Sequence, residues 1–280
     1  MGSKAKSNVG APAGTPIFHF ADRIIAAIKS KGNPVCVGID PRLDQIPEFL
    51  KVIQTTIHGE TVQAAAGSFL EFGKGIIDAV YDLVPCVKPQ IAFYEQYGHF
   101  GIKAFEETCA YAREKGLIVI ADGKRNDIGT TAEAYAAAYL GEVPMFEGAV
   151  AESSFKVDAL TVTPYLGYDG IKPFREACRK KGKGMFVLVK TSNPSSVDLQ
   201  DQLLDEKVGE GFGSSGRLKN YELIAHLVES WGAKQPVEMV GRHQKILDLH
   251  RKAEKVAPFD EPVLRSRLVY GRIAVNCMSS

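Results

Sequence analysis

The sequence lacks the markers of several large classes of protein. Its 280 residues contain 34 Lys and Arg against 33 Asp and Glu, and a net charge of +1 offers no field to attract nucleic acid or a membrane surface. The opening segment, residues 1–16, has no apolar stretch of the kind that a signal peptide requires. No CxxC pair occurs, and the six histidines show no metal-ligand spacing. We therefore expect neither a metal site, nor a nucleic-acid partner, nor a membrane partner.

Cysteine is scarce, and its placement argues against a disulfide framework. The five cysteines are odd in number, widely spaced and mostly set in apolar runs, at Cys36, Cys86, Cys109, Cys178 and Cys277. Such residues are typical of reduced core positions. Together with the polar opening segment, they predict a cytoplasmic protein.

The composition that is present is that of a globular protein, with 45% hydrophobic and 24% charged residues. A chain of this length is compatible with one large domain, because α/β barrels often reach it undivided. We expect a disordered arm at residues 1–16, a barrel domain at 17–231, and an atypical segment of the same domain at 232–280.

Apolar segments alternate with segments of helical spacing. The pattern predicts strands at residues 35–39, 86–92, 117–121, 159–165 and 184–190, with further strands at 236–241 and 267–276. Helices are predicted at 20–32, 62–83, 96–115, 130–140, 170–181 and 217–231, and a flexible loop at 195–216. We expect the first of these helices to cover the bottom or the side of the domain. Helical crossovers predict a parallel sheet, and polar residues following several strands favour a closed (β/α)8 barrel over a doubly wound sheet, which stays possible.

The stretch around which the chain is organised is LIVIADGKRNDIGTT, residues 117–131. Its apolar run stops on Asp122, Lys124 and Asp127, at the end of a strand where barrels bind ligands. Lys88 lies inside another apolar run, CVKPQIA, and a buried lysine is costly unless it is paired. Two interpretations are open at this point, a catalytic charge cluster or a strand-end salt bridge that holds a loop.

Other polar residues at strand ends also have an ordinary alternative. Asp40 follows the first strand and Ser192 the fifth, but Asp40 is equally suited to capping a turn and Ser192 to a loop. Thr131 has the residue type of a helix N-cap. The segment GFGSSG at 211–216 matches a dinucleotide fingerprint by letter, but no predicted strand precedes it, so we interpret it as loop.

Five motifs in order resemble one known family. DGKRNDIGTT matches the D-x-K-x-x-D-I signature of the orotidine 5'-phosphate decarboxylases, and GIDPR, VKPQIAFYE, TVTPYLG and KTSNPSS resemble the type 2, bacterial-like branch. The likeness runs from about Phe18 to Trp231. A related barrel superfamily of sugar-phosphate aldolases and decarboxylases shares D-x-K-x-x-D, so the order of all five motifs carries the resemblance.

The resemblance implies a (β/α)8 barrel and roles for individual residues. Lys88, Asp122, Lys124 and Asp127 would form an alternating charge array beneath the substrate carboxylate. Removing carbon dioxide from C6 of a pyrimidine leaves a carbanion with no electron sink, and we expect no cofactor. Lys124 would therefore stabilise the developing charge and give C6 its proton.

The family also implies residues that bind the rest of a nucleotide substrate. Asp40, with Lys88, would bind the ribose hydroxyls, and Ser192 would hydrogen-bond the pyrimidine. The family is homodimeric, and its precedent places three residues in the site of the neighbouring subunit, namely Asp127, Ile128 and Thr131.

The resemblance ends after Trp231. The family continues with a phosphate-binding loop of the form P-G-x-G-A-Q-G, which residues 232–280 do not contain, and Gly271 and Arg272 are the residues there that most resemble phosphate ligands. Three hypotheses follow: an orotidine 5'-phosphate decarboxylase of pyrimidine biosynthesis, a magnesium-dependent sugar-phosphate lyase or decarboxylase on the same scaffold, or an impaired barrel that lacks its phosphate loop.

Overall fold

The computed structural model describes residues 19–212 and 216–233. Several predictions lie outside these residues: the arm at 1–16, the strands at 236–241 and 267–276, Gly271, Arg272 and almost all of the segment 232–280. Among the helices within the described ranges, none combines the length and the hydropathy needed to cross a bilayer.

Within residues 19–212 and 216–233, seven strands and ten helices are labelled in chain order. The strands are β1 Cys36–Ile39, β2 Cys86–Pro89, β3 Ile118–Arg125, β4 Glu142–Pro144, β5 Val150–Glu152, β6 Ala159–Val162 and β7 Gly184–Val187. The helices are α1 Phe20–Lys31, α2 Glu48–His58, α3 Val62–Val80, α4 Ala92–Glu95, α5 Gly98–Glu114, α6 Gly129–Leu140, α7 Tyr168–Lys181, α8 Ser196–Leu199, α9 Glu206–Gly211 and α10 Asn220–Ala233.

The main sheet is parallel and follows the order of the chain. Its strands run β1-β2-β3-β6-β7, and the β1–β2, β2–β3, β3–β6 and β6–β7 pairs are all parallel. Because parallel neighbours need crossover connections, helices lie between successive strands and cover the sheet. Val87, Val119 and Leu160 are completely buried, as expected for strands that are covered on both faces. The prediction of an α/β parallel fold is confirmed.

Local sequence signals explain several helix ends. Gly32 and Gly182 follow α1 and α7 in the left-handed conformation, with φ of 61° and 64°, which glycine adopts without steric cost. Thr61 caps the amino end of α3 by accepting a hydrogen bond from the backbone N–H of Ala64 at 3.2 Å.

Helix α1 packs at the amino-terminal ends of the strands. Its residues Phe20 and Ile24 contact a buried cluster of Cys86, Ile118, Ile120 and Ala159. The Phe20 ring meets the Phe186 ring edge to face, with centroids 5.8 Å apart. This position agrees with the prediction that the first helix covers the bottom or side of the domain.

The structure differs from the predicted elements in several places. Two short helices, α8 and α9, lie within the segment 195–216, so the prediction of a loop there was wrong for those helical residues. A further helix, α2, and the antiparallel hairpin of β4 and β5 were not predicted. Strand β2 ends at Pro89, three residues early, whereas β3 continues four residues past the predicted end at Ala121.

Candidate active site

Three charged side chains from adjacent strands meet at the carboxyl ends of β2 and β3. The Lys88 Nζ lies 2.7 Å from Asp122 Oδ2, and the Lys124 Nζ lies 2.6 Å from Asp122 Oδ1. The side chains of Lys88 and Asp122 are only 7% and 3% exposed, whereas that of Lys124 is 43% exposed. Three of the four residues of the predicted charge array are therefore brought together, with one ammonium buried beneath the carboxylate and the other open to a ligand.

An irregularity in β3 brings the side chains of Asp122 and Lys124 into contact with each other. The strand continues through both residues, and its register against β6 shifts between Ala121 and Arg125. Lys124 has a φ of 44°, a left-handed conformation that is uncommon for a residue with a side chain. Such backbone strain is concentrated at functional sites, where the surrounding structure holds it in place.

Thr161, which the sequence analysis did not single out, completes the cluster from β6. Its hydroxyl donates to Asp122 Oδ1 at 2.9 Å and accepts the backbone N–H groups of Gly123 at 3.0 Å and Lys124 at 2.9 Å. The side chain is fully buried. The available signal was a hydroxyl residue inside the apolar run ALTV, but that pattern is common to many ordinary strands.

The carboxylate of Asp122 is held in its ionised form. Burial by itself raises its pKa, but hydrogen bonds and charges from Lys124 and Lys88 outweigh burial and leave the pKa below the ordinary value for aspartate. The site therefore keeps a fixed negative charge next to two ammonium groups, a preorganised field that water is unable to provide.

Arg125, at the last position of β3, anchors the end of the strand and was also missed. Its guanidinium donates to the Tyr139 hydroxyl at 2.9 Å and forms an ion pair with Glu95. It also lies 5.5 Å from the ring centroids of Tyr135 and Tyr139. These contacts join β3 to α4 and α6, and they fix the chain immediately after Lys124.

The three residues expected in a neighbouring subunit's site lie just past the end of β3. Asp127 is half-buried and accepts the backbone N–H of Ile128 at 2.8 Å. Ile128 is 55% exposed, and Thr131 is exposed as well. The N-cap of α6 is Ile128, so the alternative assignment of Thr131 as that cap was wrong.

Asp40 and Ser192 follow β1 and β7 at the same end of the sheet as the charge cluster, and both are exposed. Their positions are compatible with binding a ligand above the cluster and equally with ordinary turns. No group of three His, Cys, Asp or Glu residues in the described ranges is arranged to hold a metal ion.

Fold and site together define a class of protein. Parallel strands joined by helices carry a strained Lys–Asp–Lys cluster at their carboxyl ends, which is where (β/α)8-barrel enzymes hold their active sites. A model of the orotidine 5'-phosphate decarboxylase / HUMPS family matches residues 33–214. The chain belongs to this family.

Proteins named orotidine 5'-phosphate decarboxylase are similar to this chain over much of its length. A protein of Rhodopirellula baltica named orotidine 5'-phosphate decarboxylase is 48% identical over 191 residues, which cover 68% of this chain and 61% of the relative. One of the same name from Caldicellulosiruptor saccharolyticus is 42% identical over 77% of this chain and 67% of its own length. The matched region thus spans about two thirds of the length of these relatives.

Solved structures agree with the fold. The structure of Leishmania donovani OMP decarboxylase has a TM-score of 0.52 at 30% identity and covers 74% of this chain and 64% of its own. The orotidine 5'-monophosphate decarboxylase of Plasmodium berghei has a TM-score of 0.63 over 92% of this chain and 90% of its own, and at 17% identity it supports the fold alone. The fold is thus of the predicted (β/α)8-barrel type, and the described residues contribute a parallel sheet of five strands to it.

Proposed function

We propose that this chain converts orotidine 5'-phosphate to uridine 5'-phosphate and carbon dioxide, a step of pyrimidine biosynthesis. The observation that carries the proposal is the Lys88–Asp122–Lys124 cluster, in which a buried carboxylate is held between two ammonium groups. The names of the relatives and the matched family model support the same activity.

Lys124 is the proposed proton donor. When the bond between C6 and the carboxyl group breaks, carbon dioxide leaves and the electron pair stays on C6. The Lys124 ammonium then delivers a proton to C6, and the lysine regains a proton from solvent. The 43% exposure of this side chain supports the assignment, because the group has to reach both the substrate and water.

Asp122 and Lys88 supply the fixed charges next to which Lys124 acts. The Asp122 carboxylate keeps the Lys124 ammonium in place at 2.6 Å and faces the substrate carboxyl group. Lys88 balances the charge of Asp122 from below at 2.7 Å. The resulting array is cofactor-free, and its stabilisation of the carbanion comes from fixed charge.

The remaining contacts follow the family pattern. We propose that Asp40 binds the ribose hydroxyls and that Ser192 binds the pyrimidine. We further propose a homodimer in which Asp127, Ile128 and Thr131 reach the partner's site, and the exposure of Ile128 and Thr131 supports it. Free thiols among the described cysteines support a cytoplasmic location.

The test is formation of uridine 5'-phosphate from orotidine 5'-phosphate by the purified full chain, with and without a chelator. We expect turnover in both cases, and we expect Lys124→Ala to lower kcat at least about 100-fold because it removes both charge and proton. Lys103→Ala is the matched control, since Lys103 is a 72% exposed lysine of α5 paired with Glu107 at 3.8 Å.

Two outcomes would contradict the proposal. Loss of turnover on chelation would favour a metal-dependent lyase of the same scaffold. Absence of turnover in the wild-type chain, with no rise in Tm when a uridine 5'-phosphate analogue is added, would mean that the site is not functional in this chain.

A further inference from the structure

The pairing of β3 with β6 has a register shift at the position of the charged cluster. Ala121 pairs with Leu160 and Arg125 pairs with Val162, which sets four residue steps on β3 against two on β6. Three residues of β3, Asp122 to Lys124, thus lie opposite the single residue Thr161 of β6, while Asp122 still pairs with Gln90 on its other side. Bulges of this kind redirect side chains and leave backbone groups without ladder partners.

The Thr161 hydroxyl takes the place of the missing ladder bonds. Residue 161 lies between the two paired positions of β6, and its Oγ1 accepts the N–H groups of Gly123 and Lys124 at 3.0 and 2.9 Å. A buried N–H without a partner is costly, so these two bonds stabilise the bulge and the left-handed Lys124 within it.

The same hydroxyl also donates a hydrogen bond to the Asp122 carboxylate. A threonine hydroxyl has two lone pairs and one proton. Both lone pairs are engaged by backbone N–H groups, so its proton points at Asp122 Oδ1, 2.9 Å away. Oδ1 therefore accepts from Thr161 while Oδ2 accepts from Lys88, and a carboxyl group whose two oxygens both act as acceptors is favoured in its ionised form.

We propose that Thr161 is a positioning residue for the decarboxylation, because one buried hydroxyl holds the backbone of Lys124 and also orients the carboxylate of Asp122. The inference rests on the proposed function and deepens it. Thr161 is fully buried and acts through these two neighbours.

The first test is independent of activity. We expect Thr161→Val to speed amide hydrogen exchange at Gly123 and Lys124 at least about tenfold, because valine keeps the shape but removes the acceptor. Thr161→Ser should restore protection. Thr108→Val is the matched control, since Thr108 is equally buried but donates its hydroxyl to Ala104 O, at 2.7 Å within α5. Unchanged exchange in Thr161→Val would overturn the proposal.

The second test measures turnover of orotidine 5'-phosphate. We expect Thr161→Val to lower kcat about 10- to 100-fold with KM within about threefold, and Thr161→Ser to recover most of the loss. The acid limb of the pH profile should move to higher pH, because losing a donor raises the pKa of a carboxyl group. A merely structural role would change neither the pH profile nor kcat per folded molecule, and that result would overturn the proposal.

Two provisions keep the outcomes distinct. If the valine variant does not fold, Thr161→Cys substitutes a weak acceptor of similar volume, and it should show the same changes to a smaller degree. If the wild-type chain shows no turnover, the proposed function fails, whereas the exchange rates of Gly123 and Lys124 still decide whether the hydroxyl holds the bulge.

Discussion

The two ends of the central strands each bury an aspartate, but they surround it differently. At the carboxyl ends, Asp122 is bonded by the ammonium groups of Lys88 and Lys124. At the amino ends, Asp158 accepts the backbone N–H of Val119 at 2.9 Å and forms an ion pair with Arg23 of α1. Both aspartates are 2% exposed.

The difference is the one expected between a candidate functional site and a structural contact. The backbone of Asp158 also bonds both neighbouring strands, donating its N–H to Val119 O and accepting the N–H of Gly184, each at 2.8 Å. Its contacts therefore hold three strand starts and a helix together. Asp122 instead contacts side chains. One of them, Lys124, is about half exposed, so its charge is available to a ligand. Barrel enzymes show the same division between their two faces.

The largest effect should come from removing the buried cation of the carboxyl end. Lys88→Met leaves Asp122 buried with only part of its compensating charge, so we expect the free energy of unfolding to fall by about 3 kcal/mol and kcat by at least about 100-fold. Chemical denaturation and the turnover assay measure the two effects. Full turnover in this variant would contradict the proposed role of Lys88 in catalysis.

A smaller effect, confined to stability, is expected at the amino end. Asp158→Asn weakens the bonds to Arg23 and Val119, and we expect it to lower the free energy of unfolding by about 1–3 kcal/mol. The kcat per folded molecule should stay at the wild-type value. A large drop in kcat at unchanged stability would show that the two ends are coupled.

The smallest effect on the free energy of unfolding should come from lowering the pH. The pKa of folded Asp122 is below its ordinary value, so this group stabilises the fold at neutral pH and loses that contribution as pH falls below about 4, through its folded pKa. Urea unfolding from pH 7 to pH 3 should show this loss in the wild type and a smaller one in Lys124→Ala, where Asp122 has one cation fewer. Equal losses in both would contradict the assignment.

Much of the fold was predictable because strand and helix periods are local. The apolar run at 117–121 and the glycines after α1 and α7 signal their elements directly. The convergence of Lys88, Asp122 and Lys124 followed from a general rule about parallel strands together with the family motif.

The parts that were missed depend on contacts across strands. The continuation of β3 to Arg125 and the role of Thr161 arise from a register shift between two strands, which neither segment encodes alone. Helices α8 and α9 lie in a segment rich in Ser, Gly and acidic residues. The amide of Asn220 joins α8 to a distant part of the chain by donating to Leu199 O at 3.2 Å. Local composition was misleading there because long-range contacts decide the outcome.

The place where α1 docks has a consequence for synthesis of the chain. A Cβ at Gly184 would lie 2.3 Å from the Phe20 ring, so the helix fits a recess that this glycine leaves on β7. Arg23 and its partner Asp158 are 135 residues apart. On the ribosome, α1 thus emerges long before β6 and β7. Its apolar side stays uncovered until those strands have been synthesised, and chaperones can bind it in the meantime.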